Sequence, residues 1–151
     1  NTYNLALDGP VWANIDKNSI TLNPNTQERV NLILNPDYGV EGSFEVLKNH
    51  APMIAAIEVG PLVLKDNTGT SITFATSGGF LEVADNAVTV LAQTAELASD
   101  IDVERAQAAE QRAVEALAGT LDADTKDTMS RALNRARNRV RVAMATVGRK
   151  R

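Results

Sequence analysis

The pattern of apolar residues changes near residue 98, and this change constrains the fold more than any other feature of the sequence. Before it, short apolar runs alternate with polar residues at a period of two and are separated by turn residues, which is typical of antiparallel strands. After it, apolar residues recur every three or four positions among good helix formers, as in amphipathic helices. The sequence therefore predicts an α+β chain, with a β-sandwich or barrel followed by a two-helix hairpin.

Several short strands are expected in the β region, beginning with Val30–Leu34 before Asn35-Pro36. Turn-rich sequences, Asp66–Gly69 and Asp85-Asn86, separate two further pairs of runs and predict two β-hairpins. The predicted pairs are Leu62–Lys65 with Ser71–Thr76, and Phe80–Ala84 with Ala87–Ala92. At Ser77-Gly78-Gly79 we expect a bend with positive φ or a close backbone approach.

Two helices are predicted after the change of pattern. The first covers Val103–Ala118, with Asp100 or Asp102 as its N-cap and Gly119 as its stop. The second covers about Thr125 to Val147. The expected inward stripes are Val103, Ala106, Ala113 and Leu117 on the first helix, and Met129, Leu133, Ala136, Val140, Met144 and Val147 on the second. Half of the first stripe is alanine and both stripes are modest, so we expect a detachable helix pair rather than a permanent core.

Charge is distributed very unevenly along the chain. Residues 1–125 carry 6 basic and 18 acidic side chains, a net charge of −12, whereas residues 126–151 carry 9 basic and 1 acidic, a net charge of +8. Arg131, Arg135 and Arg139 share one helix face, and Arg137 and Arg141 form a neighbouring row. A solvated polar face is one interpretation. The other is a surface for an anionic partner, which could be phosphate, nucleic acid or an acidic protein loop.

Composition excludes several kinds of catalytic and metal site. The chain has no cysteine and one histidine, His50, so it lacks thiolate sites, multi-histidine metal sites and a cysteine nucleophile. We expect His50, beside Pro52, to be hydrogen-bonded to the backbone. No metal ligand set is apparent, and no apolar run approaches the about 20 residues that span a bilayer. An enzyme is therefore disfavoured.

Five segments, in this order and spacing, resemble the ε subunit of the F-type ATP synthase, called δ in mitochondria. They are Asn49–Met53 (NHAPM), Ile57–Leu64 (IEVGPLVL), Ser77–Val83 (SGGFLEV), Val88–Glu96 (VTVLAQTAE) and Ile101–Ala106 (IDVERA). The resemblance covers about Gly39–Ala113. It implies an antiparallel β-sandwich over 1–98 that binds the γ subunit and the c-ring, followed over 99–151 by a regulatory helical hairpin with a basic second helix.

The resemblance also implies a role and a location. The family member is a non-catalytic subunit of the central stalk, present in one copy in a hetero-oligomer, which couples rotation to ATP synthesis. Its hairpin can inhibit ATP hydrolysis when the basic second helix approaches a catalytic β subunit. The subunit is peripheral to the energy-coupling membrane, on the side of the catalytic head, which is the bacterial cytoplasmic face or the matrix or stromal face of an organelle.

Two sets of site residues follow from the resemblance. The expected contacts with γ and the c-ring are Glu41, Gly42, Ser43, His50, Ala51 and Pro52. No cofactor is required, but Ile101–Ala106 matches the I/L-D-x-x-R-A pattern by which some bacterial ε subunits bind regulatory ATP. The implied ATP ligands are Glu96, Ile101, Asp102, Arg105, Ala106, Arg112, Arg131, Arg135 and Arg139.

Two alternatives accompany these predictions. In the nucleotide site, Asp102 could simply cap a helix and Arg105 could pair with a neighbouring acid. For the whole chain, the alternative is a small β-sandwich adaptor whose basic tail binds nucleic acid. That alternative is the weaker one, because no aromatic residue lies among the arginines for base stacking, and the predicted partners therefore include no nucleic acid.

Overall fold

The computed structural model describes residues 3–6, 11–16, 19–24, 46, 50–65, 71–85 and 87–148. Within these residues seven strands come first, and a short 3₁₀ turn and two helices follow. The strands are β1 (Tyr3–Ala6), β2 (Val11–Asp16), β3 (Ser19–Pro24), β4 (Met53–Lys65), β5 (Ser71–Ala84), β6 (Ala87–Ala92) and β7 (Ala95–Leu97). The 3₁₀ turn is Ala98–Asp100, and the helices are α1 (Val103–Leu117) and α2 (Ala123–Gly148). The predicted succession of β structure and two helices is confirmed.

Every strand pair in the sheet is antiparallel, in the order β1-β2-β3-β6-β5-β4, with β7 also beside β5. The two predicted hairpins are confirmed, since Leu64 pairs with Ile72 and Ala84 pairs with Ala87. The predicted strand Val30–Leu34 and the turn Asp66–Gly69 lie outside the described residues.

The predicted bend at Ser77-Gly78-Gly79 lies inside the long strand β5. Gly78 has a φ of 90° and Gly79 a φ of 150°, a backbone that side chains rarely adopt. A Cβ on Gly79 would lie 1.9 Å from the carbonyl oxygen of Leu91. The bend divides β5, which pairs with β7 up to Thr76 and with β6 from Gly79 onward.

Two apolar clusters lie on either side of β5. The larger one is internal to the sheet region and is built from Val46, Ile57, Leu62, Leu64, Phe74, Leu81, Val83, Val88, Val90 and Ala92. The smaller one joins the sheet to the helices and consists of Ala75, Ala98, Ile101, Ala106, Val142 and Ala143. Because Phe74 faces one cluster and Ala75 the other, both faces of β5 are buried here. This explains why burial alternates along β6 but not through the middle of β5.

Both helices begin at an aspartate. Asp102 Oδ1 accepts a hydrogen bond of 2.9 Å from the N–H of Arg105 and caps α1. Asp122 Oδ1 accepts from the N–H of Thr125 at 2.9 Å, so α2 begins two residues before the predicted Thr125. The hydrogen bonds from Thr125, first from its hydroxyl and then from its backbone, hold the pKa of Asp122 below its ordinary value.

The predicted inward stripe of α2 is only partly correct. Ala136 is buried, but the side chain of Met144 is 53% exposed. Instead Asn138, Val142 and Ala143 are buried. The reason is that α2 contacts α1 on one side and β4 and β5 on another, so its buried residues cover a wider arc than one stripe. The side chain of Val147 lies outside the described part of the chain.

Candidate functional site

A cavity of about 690 Å³ lies between the basic face of α2 and the glycine bend of β5. Four arginines of α2 line it, together with the backbone at Gly78 and the carboxylate-bearing residue Glu58. The arginines are Arg131, Arg135, Arg137 and Arg141. A cavity with this lining favours anions, because guanidinium groups offer several N–H donors and a fixed positive charge.

The arginines of α2 differ in their partners. Arg139 Nε lies 2.7 Å from Glu96 Oε2 on β7, and Arg137 Nε lies 3.1 Å from Glu110 Oε1 on α1. Arg131 pairs within its own helix. The ion pairs of Arg139 and Arg137 therefore connect α2 to β7 and to α1. Arg139 consequently points away from the cavity that Arg131 and Arg135 line.

The predicted ATP ligands at the start of α1 serve the fold in this structure. Asp102 caps the helix, which is the alternative that the sequence left open for it. Ile101 and Ala106 are buried in the cluster that joins the helices to the sheet. Arg105 and Arg112 are exposed on α1.

The nine predicted ATP ligands are thus not gathered around one cavity. The structure brings Arg131 and Arg135 together in the cavity and Glu96 against Arg139. The remaining residues lie on α1 or just before it. In this arrangement Oε2 of Glu96 already accepts a hydrogen bond from Arg139, so a nucleotide that used Glu96 would share this carboxylate with Arg139 or displace it.

The predicted γ and c-ring contacts are described only in part. His50 Nδ1 lies 2.8 Å from the carbonyl oxygen of Ala51, which is the backbone contact expected for this histidine. Ala51 and Pro52 are exposed. The other three predicted contacts, Glu41, Gly42 and Ser43, lie outside the described residues.

An exposed apolar row on the sheet was not predicted as a functional surface. Ala56, Phe80 and Leu91 are paired across β4, β5 and β6, and Ile54 lies two residues from Ala56 on the same face. Ile54 is 74% exposed, Phe80 59% and Leu91 54%. We call these four residues the apolar row. The signal in the sequence was an apolar residue at positions such as Leu91, where the alternation expects an outward side chain.

A second residue that sequence reasoning missed is Asn138. Its side chain is only 5% exposed and contacts the sheet, although asparagine is mostly found at exposed positions in proteins. The available signal was the low helix propensity of asparagine, which makes it an unfavourable choice in a helix interior without a specific partner.

Of the helices that the structure describes, none has the length and hydropathy needed to cross a membrane. Within the same described residues, no group of three or more His, Cys, Asp or Glu side chains could hold a metal ion.

Comparison with known proteins identifies the family. Residues 13–98 match the family described as "ATP synthase, Delta/Epsilon chain, beta-sandwich domain", and residues 99–144 match "ATP synthase, Delta/Epsilon chain, long alpha-helix domain". The chain is 54% identical over 118 residues to the ATP synthase epsilon chain of Salinibacter ruber, covering 73% of this chain and 79% of the relative. It is 44% identical over 105 residues to that of Syntrophomonas wolfei, covering 70% and 77%.

A solved structure shows the same fold. It is a chain of the Euglena gracilis mitochondrial ATP synthase, solved as OSCP/F1/c-ring in rotational state 1, with a TM-score of 0.59 and 23% identity over 73% of this chain and 66% of that chain. The predicted resemblance and the predicted β-sandwich are confirmed, and the nucleic-acid adaptor is not favoured. With both halves matched and curated relatives at this identity, the chain belongs to the ATP synthase delta/epsilon family, as a non-catalytic epsilon-type subunit.

Proposed function

We propose that this chain is the central-stalk subunit that links the rotating γ subunit to the c-ring and so couples proton flow to ATP synthesis. One copy would serve each complex, peripheral to the energy-coupling membrane on the side of the catalytic head. Residues 1–98 would provide the binding sandwich and residues 99–151 the regulatory hairpin. The names of the relatives support this proposal, since they are ATP synthase epsilon chains, and so does the c-ring in the Euglena complex.

The single observation that carries the proposal is the apolar row. Three large apolar side chains that are more than half exposed, Ile54, Phe80 and Leu91, are costly in a chain without a partner. They lie on strands rather than loops, so the surface is rigid and already formed. We assign this row to γ, and we assign the end that contains His50, Ala51 and Pro52, with Glu41, Gly42 and Ser43, to the c-ring and the adjoining part of γ.

The assignment to γ is tested by replacing Phe80 and Leu91 with serine. Because both side chains are exposed, the unfolding temperature of the chain should change little, whereas affinity for γ should fall by tenfold or more. Val114→Ser is the matched control, because Val114 is 39% exposed on α1, away from the row. Unchanged affinity for γ in the double variant would contradict the assignment.

We further propose that the hairpin inhibits ATP hydrolysis when its basic second helix approaches an acidic part of a catalytic β subunit. The charge of +8 over residues 126–151 supports this role. Truncation after Ala98 should leave assembly largely intact, because the larger apolar cluster lies entirely before this point. ATPase activity of the assembled complex should then rise, and unchanged activity would restrict the hairpin to a structural role.

Regulatory ATP is the remaining part of the proposal. Arg105, Arg112 and one or more arginines of α2 would contact the phosphates, and Glu96 and Asp102 would accept hydrogen bonds from the nucleoside. Calorimetry with the isolated chain tests this, with Arg105→Ala and Arg112→Ala expected to weaken binding. Because both residues are exposed on α1, these variants should keep their fold. Absence of heat with the wild-type chain would remove ATP from the proposal.

A further inference from the structure

We propose that Asn138 is a polar latch that holds the helical hairpin on the sandwich, and that breaking its hydrogen bonds releases the hairpin. The release itself concerns only this chain. Its effect on ATP hydrolysis rests on the proposed function of the hairpin, and the experiment below separates the two.

The latch is a buried amide in the middle of a long helix. The side chain of Asn138 is 5% exposed, and its Nδ2 donates to the carbonyl oxygen of Gly60 and to that of Thr76, each at 3.0 Å. Two carbonyl acceptors can be met only by the NH₂ end of the amide, so the partners dictate its orientation. Both N–H groups of the Asn138 amide therefore donate to the sheet.

The two carbonyls belong to facing residues of neighbouring strands. Gly60 on β4 is paired in register with Thr76 on β5. The hydroxyl of Thr76, which is 2% exposed, also donates to the carbonyl of Gly60 at 2.9 Å. Asn138 thus joins α2 to both strands at one point. Replacing it removes one donor from each carbonyl, although Gly60 O keeps the hydroxyl of Thr76, so the expected cost is the loss of two buried hydrogen bonds.

Two other contacts between the hairpin and the sandwich are individually weaker. The apolar cluster that joins them contains four alanines, which bury little surface. The ion pair between Arg139 and Glu96 is about one-third exposed at each side chain, so water screens it. The two buried hydrogen bonds of Asn138 therefore contribute a large part of the free energy that docks α2 on the sheet.

An amide suits a contact that must open as well as close. When α2 leaves the sheet, the side chain of Asn138 and the two carbonyls can bond to water, so no apolar surface is exposed at the latch. A buried polar residue that must meet two fixed acceptors also specifies a single register for α2 along the strands. Asn134, one helical turn earlier on the same face, is only half-buried and lines the same cavity.

The test uses the full chain with two spectroscopic labels. Because the chain has no cysteine, Glu82→Cys on β5 and Ala145→Cys on α2, both exposed, give one unique label pair. Asn138→Asp keeps the shape of the side chain but places a carboxylate against two carbonyls. Asn138→Leu removes the donors while favouring the helix. Asn134→Asp is the matched control, with the same chemical change on the same helix face.

We expect the ratio of docked to released hairpin, read from the distance between labels, to fall roughly tenfold or more in Asn138→Leu and further in Asn138→Asp. The control should keep the wild-type distance. A wild-type distance in both Asn138 variants would overturn the latch. If Asn138→Asp also loses the unfolding transition of the sandwich, Asn138→Leu decides the question alone.

The same variants are then assembled into the ATP synthase complex, and hydrolysis is measured. Release together with stronger inhibition would support both the latch and the inhibitory hairpin. Release with unchanged hydrolysis would leave the latch standing and remove only the inhibitory role.

Discussion

Arg139 and Glu96 form an ion pair of 2.7 Å that joins the middle of α2 to β7. Both residues are also implied ligands of regulatory ATP. In the structure each is the partner of the other, so a nucleotide that bound to both would have to share or replace this ion pair. The pair thus belongs both to the contact that docks the hairpin and to the proposed nucleotide site.

We expect Glu96→Gln to weaken the docking of the hairpin by about 0.5 kcal/mol, because the ion pair is partly exposed and screened. The effect should decrease as salt is added. Denaturant unfolding followed by helical circular dichroism measures it. Asp127→Asn is the matched control, since Asp127 pairs with Arg131 within α2 and crosses no interface. Equal effects of the two variants would contradict a docking role for Glu96.

Alanine is required where the two helices are closely packed. Ala113 on α1 is 5% exposed, and Ala113→Leu should destabilise the hairpin by about 1–3 kcal/mol through overpacking. Ala108→Leu makes the same change at an exposed position of α1 and should be nearly neutral. Thermal unfolding of both variants checks this, and a neutral Ala113→Leu would indicate a loosely packed helix pair.

Gly79→Ala should unfold or severely destabilise the sandwich. A Cβ at this position would lie 1.9 Å from the carbonyl oxygen of Leu91, so two strands would have to separate. We expect a loss of ~3 kcal/mol or more, from strain at positive φ and displacement of the backbone. Gly119→Ala is the control, because its added Cβ would meet Ala116 O at an ordinary 3.5 Å. Comparable stabilities in the two variants would contradict this account.

Acid should loosen the first turn of α2 through Asp122. Hydrogen bonds from Thr125 lower the pKa of Asp122 in the folded chain, so its contribution is complete above the pKa of the unfolded chain. The contribution is lost as the pH falls through the lower folded pKa. Hydrogen exchange of the Thr125 amide should therefore accelerate in that range. Asp122→Asn still caps but does not titrate, and the same acceleration in this variant would exclude Asp122 as the cause.

Local chemistry made much of the fold predictable. Alternation and turn residues identified the hairpins on both sides of β5, and the glycines at 78 and 79 identified its bend. The sequence also predicted a helix cap at Asp100 or Asp102, and Asp102 is the residue that caps α1. The prediction that Met144 faces inward was wrong. Periodicity assumes one buried stripe, whereas α2 packs against α1 on one side and against the sheet on another.

The candidate site was less predictable, because its members meet only through long-range packing. Arg131 and Arg135 reach the cavity whereas Arg139 turns to β7, although all three have the same helical spacing. Asn138 donates hydrogen bonds to Gly60 and Thr76, which lie 78 and 62 positions away in the sequence. No local sequence pattern contains such a relationship. The predicted ATP ligands and ring contacts stay predictions.

The alanine-rich cluster between the helices and β5 bears on how readily the chain would aggregate with its hairpin detached. If the hairpin detaches as proposed, it would uncover four alanines with Ile101 and Val142, a small apolar area that offers little surface for aggregation. A contact built from small side chains binds the hairpin weakly, and for the same reason it would expose little apolar surface when it opens.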